Sequence, residues 1–190
     1  MPEGFISHFM DQEYLDKFET RIGDALYNFL LSKEEIDKVP GASPDITEKG
    51  DQICAKYLPD GIREFQNYPT VSLGWMMFIG MAVAPMWDDD WDTYSKFENL
   101  YAVLVNARGY DNLDEHICED ILKLSGKEAE STSRLIGDAA EMVHALLIHE
   151  GIEPGTPTAY FAYIRCLLKL YFYGAAVELR RLGYHMTPLN

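Results

Sequence analysis

The sequence is short of positive charge and of cysteine, and nowhere does it show the alternating apolar pattern of a strand bounded by turns. Lys and Arg number 16 against 31 Asp and Glu, a formal net charge of −15. Such a chain repels phosphate backbones and anionic lipid, and no basic patch offsets that field, so nucleic acid is excluded as an expected partner. The three cysteines, Cys54, Cys118 and Cys166, are odd in number and far apart. Without a C-x-x-C pair, neither a zinc clip nor a disulfide framework is indicated, and reduced thiols in a cytoplasm are the expectation. The opening residues, MPEGFISHFMDQEYLDKF, have no basic start and no long apolar run, so no secretory signal is expected. Also missing are a G-x-S-x-G elbow, a phosphate loop behind a strand and a second E-x-x-H, which removes the usual signatures of hydrolases, nucleotide binding and di-metal bundles.

What is present is material for a core. Hydrophobic residues make up 47% of 190 positions and aromatics 13%, enough for one folded domain over residues 1–190. One long uncharged run exists, VSLGWMMFIGMAVAPMW at 71–87. As a helix it would rise roughly 25 Å, short of the ~30 Å of bilayer hydrocarbon. No Lys or Arg anchors either end, so a buried central helix over about 70–87 is expected rather than a membrane span.

Elsewhere apolar residues recur at helical spacing. Over about 11–32, Leu15, Phe18, Ile22, Leu26 and Phe29 share one face. VPGASPD at 39–45 breaks the chain; Ser43 suits a cap and Pro44 a first helical position, predicting a helix over about 45–57 that stops near Pro59. Pro85 predicts the end of the central helix, and a new one over about 89–107 should turn Phe97, Leu100, Tyr101 and Leu104 inward. Asn112 is placed to cap a helix over about 112–125, striped by Leu113, Ile117, Ile121 and Leu124 and ended by Gly126. A helix over about 127–150 carries Thr132, Leu135, Ile136, Ala139, Val143 and Leu146 on one side. After the strong break GIEPGTP, Thr156 and Pro157 open the last helix, about 157–182. The expected fold is therefore an all-α single-domain bundle of about six to eight helices around the apolar segment. Ile-Gly-Asp-Ala occurs at both 22–25 and 136–139, but the flanks diverge and do not make a repeat.

Asp88, Asp89, Asp90 and Asp92 follow that segment directly. A helix starting near Asp89 leaves its first N–H groups unsatisfied, and carboxylates accept those bonds and complement the positive helix end. Trp87 and Trp91 would then staple the corner. The same residues, as Asp88-Asp89-x-x-Asp92, resemble the D-D-x-x-D pattern of all-α terpenoid and prenyl-diphosphate synthases. The resemblance is confined to these five positions. It implies Mg²⁺ held by Asp88, Asp89 and Asp92 against a diphosphate, a hard cation on hard oxygen ligands. Helix capping is the expected role.

Three further features carry expectations. Glu141 and His144 form an E-x-x-H, but both lie away from the Ala139/Val143 stripe and should face solvent or a partner. Arg165 and Lys169 sit in the greasiest helix; either their stripe reaches water with the stems along apolar surface, or they pair with Glu141, Asp138 or the 88–92 acids and create a pocket. The first is expected. Tyr160, Tyr163, Tyr171 and Tyr173 crowd the same helix, and some should meet another copy or a partner.

The composite expectation is a non-catalytic, cofactor-free helical protein: an interaction or regulatory module that self-associates or binds a protein partner, with neither nucleic acid nor membrane involved. The alternative is a Mg²⁺-dependent enzyme acting on a phosphate or diphosphate ester through Asp88, Asp89 and Asp92.

Overall fold

The uncharged run does become the centre of the protein. In the computed structural model, which describes residues Glu3–Met186 with side chains from Asp11 onward, it forms most of α3 (Pro69–Tyr94). Around it stand α1 (Glu3–Ser32), α2 (Pro44–Phe65), α4 (Leu100–Arg108), α5 (Leu113–Glu115), α6 (Lys127–His149) and α7 (Pro157–Arg181). Every residue from Ser72 to Ala84 is buried except Trp75. By length and composition α3 could cross a membrane, yet 72% of its most apolar window is buried by its own chain. That is the environment of a core helix. Among the described residues the fold is all-α, with a single continuous hydrophobic core.

Small residues let α3 and α7 touch backbone to backbone. A Cβ on Gly80 would stand 2.1 Å from the Tyr171 carbonyl oxygen, and one on Gly174 would stand 2.1 Å from that of Met77. Each glycine thus lies against the other helix's main chain, which no larger residue permits. Gly74 faces α6 less tightly, with the side chains of Ile136 and Ala140 3.3 and 3.7 Å from its Cβ position.

The outer helices follow the expected faces with small shifts. In α1, Leu15, Phe18, Ile22 and Leu26 are buried as the spacing requires, and the fifth inward residue is Leu30, with Phe29 half-buried. In α6, Thr132, Leu135, Ile136, Ala139 and Val143 are buried together with Ala140. The Thr156 hydroxyl accepts from the Ala159 N–H at 3.2 Å and opens α7 with Pro157 in its first turn. Pro44 likewise opens α2, while Ser43 precedes it in an extended conformation without a side-chain cap bond.

Prolines were weaker breaks than expected. α2 runs through Pro59 to Phe65; Pro59 and Ala55, whose carbonyl loses its partner, are both exposed, so water can serve that oxygen. α3 runs through Pro85, and its only non-helical residue is Asp90 (φ −154°, ψ 73°). An interior proline costs about 3 kcal/mol. Burial of Met86 alone returns about 2 kcal/mol, and Trp87 packs beyond it, so tertiary contact wins.

The expected helix over 89–107 is instead broken. One turn ends at Tyr94, a loop follows, and Asn99 caps α4 by accepting from the Ala102 N–H at 3.0 Å. Lys49 holds that loop: its buried ammonium donates to the Ser95 and Phe97 carbonyls at 2.9 and 2.7 Å. Phe97 is consequently exposed, whereas Leu100, Tyr101 and Leu104 point inward. The segment expected as a helix over 112–125 is irregular. A 3₁₀ turn at Tyr110–Asn112 leads into α5 and then a π-turn at His116–Ile121, with a Leu122 N–H bond back to Ile117. Asn112 does not cap; its amide donates to the Arg108 carbonyl at 3.1 Å. The wider π-turn places both Ile117 and Cys118 in the core, which a regular helix would do less well.

Candidate functional site

The acidic corner is where the sequence drew most attention, and the four aspartates do different things. Asp90 is the cap: its non-helical backbone starts the last turn of α3 and its carboxylate accepts from the Thr93 N–H at 3.3 Å. Asp88 accepts a hydrogen bond from the Tyr184 hydroxyl, and the Tyr184 ring packs edge-on against Trp87 with centroids 5.3 Å apart. Trp87 in turn donates to Asp45 at 3.3 Å. Asp89 and Asp92 are exposed. Capping therefore falls to Asp90, the one acid outside the D-D-x-x-D set, because the helix breaks one residue later than Asp89. Among the described residues, no three side chains of His, Cys, Asp and Glu converge as a metal site.

Arg165 and Lys169 lie on a half-exposed stripe against α1. Arg165 pairs with Asp16 at 3.0 Å and with Glu19, and the Lys169 ammonium stands 4.0 Å from Glu19. With 21% and 34% of their side chains exposed, their heads reach water while the stems cover apolar surface. The acids they meet are on α1, not Glu141, Asp138 or the 88–92 group.

The cysteines stay inert. Cys54, Cys118 and Cys166 are free and buried, and burial raises all three thiols, Cys54 to about 12 and Cys118 to about 11. A thiol so raised holds negligible thiolate at neutral pH.

A different end of the bundle carries an apolar concavity. The last turn of α2, the last turns of α6, the loop over 150–156 and the first turns of α7 enclose a groove of about 710 Å³. Ile62 and Phe65 come from α2, His144, Leu147 and Ile148 from α6, Ile152 from the loop, and Ala159, Tyr160 and Tyr163 from α7. Phe65 stands edge-on to both His144 and Tyr163, with centroids 5.8 and 5.0 Å apart. Ile148 is 63% exposed and Tyr160 41%, and together with the half-buried lining they make this apolar face contiguous.

Behind the groove stands a rigid polar wall. The Tyr163 hydroxyl bonds the Ser72 hydroxyl, which donates to the Gly61 carbonyl at 2.7 Å. The Tyr57 hydroxyl donates to the Ser72 carbonyl at 2.6 Å and lies 3.5 Å from the Tyr110 hydroxyl. Tyr101 donates to Asp60 at 2.6 Å, and the Trp75 indole donates to the Tyr110 carbonyl at 2.9 Å. Burial raises these phenols, Tyr110 to about 12 and Tyr57 and Tyr163 further, so each stays a neutral donor. The wall itself contributes only neutral phenols and hydroxyls to this side of the groove. It positions Tyr163 and fixes the floor.

Sequence reading reached part of this site. His144 was expected to face solvent or a partner rather than the core; it is half-buried and lines the groove. Of the four tyrosines on α7, Tyr163, Tyr171 and Tyr173 are buried, and only Tyr160 is presented outward. Ile62, Phe65, Gln66, Ile148 and Ile152 went unremarked; the available signal was a cluster of apolar residues at helix ends next to the breaks NYPT and GIEPGTP. Compared with known protein families, with curated proteins and with solved structures, the chain matches none.

Proposed function

We propose that this protein is a non-catalytic helical interaction module that acts by binding an apolar partner in the groove between α2, α6 and α7. One observation carries the reading: a concavity of about 710 Å³, lined by isoleucine, leucine and aromatic side chains, with Ile148 and Tyr160 left in solvent. Binding sites typically combine such volume and apolar lining with a few polar groups that orient the ligand, here His144, Gln66 and Tyr160. The lining contains no Asp, Glu, Lys, Ser or Cys, so its one histidine, His144, has no carboxylate or nucleophile beside it in the groove with which to build acid–base, nucleophilic or metal chemistry.

The test is a fluorescence titration with diphenylhexatriene, an uncharged rod that emits only in apolar surroundings. The native protein should show saturable binding at one site per chain. Ala159→Trp, which fills the groove from the first turns of α7, should weaken that binding by about tenfold or more while thermal unfolding stays unchanged. Non-saturable emission, or binding equal in the variant, would overturn the proposal.

A further inference from the structure

We infer that the groove selects apolar molecules whose head group is cationic or neutral, and rejects anionic amphiphiles such as fatty acids. The inference rests on the binding reading above and adds the chemical class of the ligand. It follows from where the charges stand. No Lys or Arg lines the groove. The nearest cation in sequence, Arg63, is committed to Asp60 at 2.7 Å. A carboxylate or sulfonate brought into this apolar setting would find no cationic partner and lose its hydration.

The acids are placed the other way. Glu141 lies one turn before His144 on the same side of α6 and is exposed, and Glu153 is exposed between Ile152 and Pro154, both of which line the groove. Neither belongs to the lining, but each stands within one residue or one helical turn of a residue that does. An ammonium head left in water beside the groove would keep part of its hydration and gain from exposed carboxylates on these flanks. The net charge of −15 adds a long-range field of the same sign, attracting cations and repelling anions.

The rings act in the same direction. Phe65, Tyr160 and Tyr163 line the groove, and the negative faces of aromatic rings favour a cation. The Tyr163 hydroxyl is already engaged by Ser72, so its ring serves as apolar floor and not as a donor to the ligand. Among the described residues, the side chains of His144 and Gln66 and the Tyr160 hydroxyl carry no hydrogen bond, which leaves them to a neutral or cationic head with a polar atom.

Diphenylhexatriene allows a clean test, because trimethylammonium and propionate derivatives share its body and differ in charge. Titrations are run at about 0.15 M salt and about pH 8, above the ordinary histidine range. The trimethylammonium form should bind about tenfold tighter than the propionate form, and Ala159→Trp should weaken it. That variant leaves the surface charge intact, so any non-specific attraction of the cation survives in it and can be subtracted. Glu141→Lys with Glu153→Lys should reverse the order of the two probes. Equal or tighter propionate binding in the native protein, or an order unaltered by the double charge reversal, overturns the charge inference while leaving the binding reading in place. Saturable binding of none of the three probes overturns both.

Discussion

Glu178 lies in the last full turn of α7, 8% exposed, and its carboxyl has no hydrogen-bond partner among the described residues. The nearest cation, Arg181, stands 4.0 Å away and is already engaged with Thr132 at 3.1 Å and Glu35 at 3.4 Å. Burial therefore dominates, and it raises the carboxyl from 4.5 to about 7 despite the opposing pull of Arg181. At about 1.4 kcal/mol per tenfold, the ionised form is disfavoured in the fold by about 3 kcal/mol. Because the folded chain holds a proton that the unfolded chain has released, this group makes stability fall as pH rises from 4.5 towards 7, and the loss is complete above that. Glu178→Gln keeps the shape and removes the titration. Urea unfolding of both proteins should show nearly equal stability at about pH 4 and a variant more stable by about 3 kcal/mol at about pH 8. Other carboxylates titrate in the same range, but their contributions cancel in the difference between the two proteins. A difference that stays flat with pH, or a variant less stable at about pH 8, would show that Arg181 compensates the buried charge and that the reasoning is wrong.

Three further outcomes follow from the packing and the caps. Gly80→Ala and Gly174→Ala each push a methyl group onto a carbonyl oxygen of the facing helix and should cost about 3 kcal/mol or more in chemical unfolding, whereas Gly137→Ala, which meets nothing within 4 Å, should stabilise by about 0.5–1 kcal/mol. Asp90→Ala should lose about 1 kcal/mol as its bond to the Thr93 N–H disappears, with Asp89→Ala and Asp92→Ala within about 0.5 kcal/mol of the native protein; equal losses at all three would contradict the cap assignment. Lys49→Met should cost about 2 kcal/mol and raise hydrogen exchange at residues 95–99, since two carbonyls lose their charged donor; an unchanged loop would show that Lys49 does not hold it.

Helical spacing made most of the fold legible, because faces such as Leu15–Phe18–Ile22–Leu26 report burial directly. What it could not show was where tertiary contact overrides local preference. Pro59 and Pro85 read as breaks, yet one has its freed carbonyl near water and the other is carried by the packing of α3. Nothing in the local sequence marks Lys49, yet it is the clamp on the loop that splits the expected helix over 89–107. The acidic corner was legible as a capping site but not which aspartate performs it, because that depends on a one-residue choice of break. The groove was nearly invisible. Its walls come from residues 62–66, 144–156 and 159–163, and only the chain path brings those helix ends together.

Methyl spectra of isoleucine-labelled protein during titration with diphenylhexatriene test the binding claim most directly. The account predicts shifts concentrated at Ile62, Ile148 and Ile152, which line the groove, with Ile22, Ile53 and Ile79 in the core left in place. Shifts spread through the core methyls, or confined to any other face of the bundle, would contradict it.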